Sequence, residues 1–169
     1  HCCLVQVAEV PDRRHAEDVR MTNDSTPRVD DIWLARRLIE AVNARDFDQA
    51  AALIAPEYRA EWPDAEFDLG GSFAREVVMM TGLPDTAFRI DTASSTDDGR
   101  VLVEATVTGV HTGVLELPHG VVLQPTGRAV SLQFVLLMGF AGSWFVRERL
   151  FFDHHELSHQ LTCAVGATM

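Results

Sequence analysis

VTGVHTG (Val107 to Gly113), PTGR (Pro125 to Arg128) and FFD (Phe151 to Asp153) punctuate the stretch that decides the fold. Gly127 to Phe140 and Trp144 to Phe152 are apolar runs joined by Ala141-Gly142-Ser143, and they read as two long strands. Arg100 to Thr112 reads as another, entered through an Asp97-Asp98-Gly99 hairpin turn, with Phe88, Ile90 and Thr92 marking a strand before it. The eleven residues from Val114 to Gln124 read as a loop. A carboxylate, Asp153, stands at the end of the last strand, at the mouth of whatever the sheet encloses.

Upstream the period becomes helical. Ile32, Ala35, Leu38, Ile39 and Val42 recur at spacings of three and four, with Asp30 and Asp31 as N-caps. A shorter helix follows from Asp46 or Asp48 through Ala50 to Ile54, stopped by Pro56. Glu57 to Trp62 reads as a short strand. A third helix opens at Gly70-Gly71 and ends at Gly82 and Pro84, and a last one runs from Asp153 to about Leu161. Helices first and strands afterwards argue an α+β fold, a curved antiparallel sheet wrapped around N-terminal helices. Such a cone buries an apolar pocket between its concave face and the helices.

Length and composition set the frame. A chain of 169 residues, 47% apolar, has enough material for one domain with a proper core. That domain is expected over 31–162. Residues 1–30 read as a disordered leader or upstream sequence, with the natural start at Met21 and a short helix over 12–19 as the alternative; 163–169 read as a tail. All basic residues are arginine, and the net charge is −11. Without a basic stripe to displace counterions from phosphates, neither nucleic acid nor an anionic membrane is an expected partner. Cys2, Cys3 and Cys163 form neither a disulfide framework nor a zinc-knuckle spacing, which fits a reducing cytoplasm.

The segments quoted at the outset, with Phe47 and Asp48 between paired helices and Leu157, Gln160 and Leu161 after the last strand, resemble the SnoaL-like polyketide cyclases of the nuclear transport factor 2-like superfamily. The resemblance covers roughly Asp31 to Leu161. It implies a cone with an apolar pocket, and intramolecular aldol condensation of a polyketide without metal or organic cofactor. It also implies an acid–base aspartate at the end of the last long strand, the position that Asp153 matches. Ketosteroid isomerases, epoxide hydrolases and members without known catalysis share the superfamily, so the fold leaves the chemistry open. This chain departs from the pattern at Arg149, where an aromatic is frequent, and in the longer 114–124 loop with His119.

Alternation along the last strand puts Arg147, Arg149, Phe151 and Asp153 on one face. If that face is concave, Asp153 sits among aromatics, where an apolar setting raises a carboxyl and makes it a usable base near neutral pH; the alternative is a cap for the last helix. His111 shares a face with Val107 and Gly109 and is a candidate hydrogen-bond donor to an enolate, or else a half-buried structural histidine. Arg149 pairs with Asp153, with neighbours of Glu148 or with a substrate carboxylate, or, in the inverted register, faces solvent. Trp33, Phe47, Tyr58, Trp62, Phe73, Met79, Met80 and Phe88, with Phe151, are candidates for the pocket lining as well as for ordinary core.

His155-Glu156-Leu157-Ser158-His159 spells HExxH, two histidines one helical turn apart with a glutamate between. Only ten residues follow it, so the usual downstream third ligand is missing. The expected function is therefore cofactor-free acid–base chemistry, an aldol cyclisation or isomerisation of an apolar carbonyl compound (ester cyclase-like), by Asp153 with His111. A non-catalytic binding or dimerisation module is the second reading and a zinc enzyme the third. A homodimer is the expected assembly.

Overall fold

The computed structural model describes residues 29–162 apart from 64, 118 and 119. The expectations for the leader, for Met21, for a helix over 12–19 and for the tail, like the three cysteines and His119, lie outside the described residues.

Three helices lead into the sheet: α1 (Val29–Asn43), α2 (Phe47–Ala52) and, after the strands β1 (Ile54–Glu61) and β2 (Glu66–Phe67), α3 (Leu69–Gly82). Helix α1 begins one residue before Asp30, so Asp30 and Asp31 lie in its first turn and not at the position before it. Its buried residues, Leu34, Ala35, Leu38, Ile39 and Ala41, form one stripe at helical spacing. Asp46 caps α2 by accepting from the Gln49 amide at 3.0 Å, and Asp68 caps α3 by accepting from the Gly71 amide at 2.8 Å.

Strands β3 (Ala87–Ser95), β4 (Val101–Val110), β7 (Ala129–Ala141) and β8 (Trp144–Phe152) then form the body of a sheet ordered β2-β1-β8-β7-β4-β3. Positive φ at Gly99 and Gly142 makes the two tight connections, β3–β4 and β7–β8. The strands pair antiparallel, as expected, with one exception: β1 runs parallel to β8. A parallel neighbour needs a long crossover, and here the whole of the chain between β1 and β8 provides it. Pro56 does not stop a helix; it lies within β1, in the stretch between Ile54 and Arg59 where the pairing with β8 is irregular.

The segment read as a loop folds into a hairpin, β5 (Leu115–Leu117) with β6 (Val121–Leu123), separate from the main sheet. Helix α4 (His154–Thr162) closes the chain. Gln160 holds it to β7: its amide donates to the Ser131 carbonyl at 2.9 Å, and its side-chain oxygen accepts from the Ser131 amide at 2.8 Å. The core lies between the sheet and the helices, with Val130, Leu132, Phe134, Leu136 and Met138 of β7 all buried at alternate positions.

The glycines of VTGVHTG serve this packing. A Cβ at Gly113 would stand 1.8 Å from the Thr81 carbonyl oxygen, and one at Gly109 3.1 Å from the Leu83 side chain. The Gly113 amide donates to the Gly82 carbonyl at 3.0 Å. What approaches closely at these glycines is the C-terminal end of α3.

Candidate active site

An apolar cavity of about 150 Å³ lies between the inner face of the sheet, α1, α3, the β5 strand and the start of α4. Leu38, Met79, Phe88, Leu115, Phe134 and Leu150 typify its wall. Against that wall stand a few polar side chains: Glu76 and Arg75 from α3, Glu116 from β5, Glu148 from β8, the indole of Trp62, and His154.

The register of β8 decides which of its side chains enter. Pairing between β7 and β8 shifts at Gly139/Phe140, where Phe140 faces Phe145 while Gly139 faces Arg147. The irregularity changes the phase of the strand. Phe145 is buried, and beyond the shift the inward residues are Glu148, Leu150 and Phe152, all of them in the cavity wall with His154. Arg147, Arg149, Phe151 and Asp153 share a face as expected, but it is the outer one. This is the inverted register.

Several expected site residues stand elsewhere, those of β8 because of this register. Asp153 is exposed and caps α4, accepting from the amides of His155 at 2.8 Å and Glu156 at 3.1 Å. Arg149 and Arg147 are paired on the outer surface with Glu61, Arg149 at 2.9 Å, and hold its carboxyl below the usual range. Phe151 is 46% exposed, beneath the Arg149 guanidinium. Trp33 is 57% exposed on α1, and Phe47 and Phe73 pack edge-to-face against each other and are not in the cavity wall. Met80 gives way to Met79 in the wall. Trp62 and Phe88 do line the cavity. His111 is fully buried beyond it: Nδ1 lies 3.0 Å from the Thr126 hydroxyl, its amide donates to the Arg128 carbonyl, and burial lowers its pKa. It clasps the end of β4 to the PTGR segment.

Sequence reasoning passed over the carboxyls of the cavity, Glu148 and Glu76, while Tyr58, a candidate for the lining, is not in the wall and instead donates to Glu148. Glu148 is buried, and both of its oxygens are used: Oε1 accepts from the Trp62 indole N–H at 2.7 Å and Oε2 from the Tyr58 hydroxyl at 3.1 Å. Burial raises its carboxyl while the two donors pull it back. Tyr58, itself buried and next to the Glu148 charge, is held well above the usual phenol range and remains a donor. Glu76, half-buried on α3, is pushed up to about 7 by burial first and by the Glu148 charge second, against a smaller pull from Arg45. The available signal for Glu148 was a glutamate inside an apolar strand, flanked by Arg147 and Arg149 and so on the opposite face from them. Glu76 gave none, because the apolar run Val77 to Met80 that follows it on α3 goes all the way round the helix and names no inward face.

The HExxH residues His155, Glu156 and His159 are all exposed, and Glu156 accepts from Gln160 at 2.7 Å. Among the described residues no group of three or more histidine, cysteine, aspartate or glutamate side chains is arranged to hold a metal ion. Nor is any described helix long and apolar enough to cross a membrane.

Solved structures with this arrangement are numerous. The candidate SnoaL-like polyketide cyclase of Jannaschia sp. CCS1 is 21% identical, with a TM-score of 0.69 over 80% of this chain and 93% of its own. IdmH of Streptomyces antibioticus, a candidate polyketide cyclase, is 21% identical, with a TM-score of 0.65 over 77% and 96%. AclR of Streptomyces galilaeus, a candidate hydroxylase, is 22% identical, with a TM-score of 0.65 over 76% and 92%. At such identities they establish the fold, the nuclear transport factor 2-like cone. No functionally curated protein matches the chain. The model of the SnoaL-like polyketide cyclase family matches residues 32–161, nearly the whole described structure, and the chain belongs to that family.

Proposed function

We propose that the protein is a cofactor-free acid–base enzyme acting on an apolar carbonyl compound, and that Glu148 and Glu76, not Asp153, carry the chemistry. The observation that supports this reading is the pair itself: two carboxyls with raised pKa values facing one apolar cavity. The Glu148 charge disfavours ionisation of Glu76, which divides the pair into a base and an acid. The indole and phenol donors on Glu148 favour its ionised form, so the proton belongs on Glu76.

In this reading the Glu148 carboxylate takes the proton alpha to a carbonyl, leaving an enolate. Glu76, a neutral acid up to about pH 7, hydrogen-bonds the developing oxyanion. In an isomerisation Glu148 returns its proton to carbon. In an aldol closure the enolate carbon attacks a second carbonyl of the same molecule and Glu76 protonates the new alkoxide; solvent then restores both carboxyls. Family membership favours the second, a polyketide cyclisation.

A substrate-independent test is exchange of the alpha protons of 2-tetralone in D2O, followed by NMR. The expected result is exchange above buffer that falls ~100-fold or more in Glu148→Gln, the usual worth of a general base. Binding of the ketone should survive. Exchange no faster than buffer would favour a second reading, a binding module of the same fold, to which the outward Asp153 already lends support. Either reading includes a homodimer, for which the exposed Trp144 and Phe151 on the outer face of β8 are the supporting observation.

A further inference from the structure

Among the polar groups of the cavity wall outside the acid–base pair, His154 has a buried ring nitrogen without a partner. His154 follows Glu148, Leu150 and Phe152 along the inward row of β8 and opens α4. Its ring leans on Phe152, with centroids 4.2 Å apart at 33°. Its Nε2 is closed off from water and has no hydrogen-bond partner among the described residues. Buried nitrogens are nearly always paired, and of the two left over among the described residues, His111 Nε2 and His154 Nε2, only that of His154 belongs to a residue of the cavity wall.

The surroundings narrow what that partner is. Leu157 and Phe152 adjoin His154 in the wall, and neither can hydrogen-bond an imidazole. Asp153, next in the chain, is committed to the amides of α4. Glu148 and His154 are also far apart. The strand from Glu148 to Phe152 alone is about 13 Å long at ~3.3 Å per residue, and His154 lies beyond it. A group that meets Nε2 is therefore not the carbonyl held at Glu76 and Glu148.

We infer that His154 is a specificity-determining residue whose Nε2 hydrogen-bonds a second oxygen of the substrate, at the far end of an elongated apolar skeleton from the reacting carbonyl. A neutral imidazole nitrogen serves either a hydroxyl or a carbonyl there, according to its tautomer. The substrate class becomes an apolar ring system with oxygen functions at both ends. The inference rests on the cavity being the ligand site, as in the proposed function, but not on Glu76 or Glu148 being catalytic.

Two probes separate these claims: 2-acetylnaphthalene, and 6-hydroxy-2-acetylnaphthalene, which adds a hydroxyl at the opposite end. Binding to the full chain is measured by titration. The expected result is about tenfold tighter binding of the hydroxylated probe, the scale of one buried hydrogen bond. In His154→Phe, which keeps the stacking on Phe152, the preference disappears while the parent probe binds as before. His154→Gln restores part of it. Glu148→Gln, whatever its effect on proton exchange, leaves the preference intact, so loss of catalysis and loss of recognition read separately. Equal affinities in the unaltered protein, or a His154→Phe variant that weakens both probes alike, would overturn the inference. Failure of either probe to bind at all would overturn it together with the cavity as the ligand site.

Discussion

Asp153 and Glu148 occupy the two places that one carboxylate was expected to fill, the strand end and the cavity wall. Asp153 ends the last strand and accepts two amide hydrogen bonds at the start of α4, in solvent. Glu148 lies five positions earlier, in the cavity wall. The capping role predicts that Asp153→Ala lowers stability by about 1 kcal/mol in urea denaturation, and that Asp153→Asn, which retains a capping oxygen, is nearly neutral. If Asp153→Asn instead abolished proton exchange in a folded protein, the role implied by the family resemblance would return to it. His111 shows the same separation of residue type from place: its Nδ1 meets Thr126, and the residue is not in the cavity wall.

At the level of elements, the placement of β8 depends on a single irregularity. Both phases of the Trp144–Phe152 run carry aromatic and charged residues, so the sequence offered no preference between them. The shift at Gly139/Phe140 turns Phe145 and then Glu148 inward. The hairpin β5–β6 was passed over for a related reason. Its strands have three residues each, too few for alternation to register, although Leu115 is fully buried against Gly82. The contact between the end of α3 and the segment after β4 is tight enough to test. Gly113→Ala sets its methyl against the Thr81 carbonyl and should cost about 2–3 kcal/mol, read as a lowered denaturation midpoint.

Over the whole molecule the buried acids make stability depend on pH in an unusual direction. A carboxyl whose pKa is raised on folding binds more protons folded than unfolded, so its contribution is fully present below the ordinary value and fades as pH rises through the folded one. For Glu76 the window runs from about 4.5 to about 7, and Glu148 acts in the same direction. Arg45, Arg75 and Glu148 are the charges around Glu76. His111 works the other way, since burial lowers its pKa and its contribution is lost on acidification. The comparison of wild type with Glu76→Gln isolates the carboxyl: across that window the wild type should lose stability relative to the variant, whose difference curve is flat above about pH 7. A thermal-melt series at closely spaced pH values is the check. If Glu76 is the acid of the reaction, proton exchange should decline over the same upper limb.

Helical and two-residue periods, turn residues and the order of elements are local properties, and the sequence by itself determined them: the α+β class, the long strands β4, β7 and β8, the tight turns at Gly99 and Gly142, and the family resemblance. Which side of β8 faces inward, that β1 joins it in parallel, and that Glu76 and Glu148 from distant segments share one cavity were decided only by tertiary structure. The reason is physical. A strand's alternation names two faces without saying which is buried. That choice, and the desolvation that turns ordinary glutamates into candidate acids and bases, exist only once helices and sheet close over the same space.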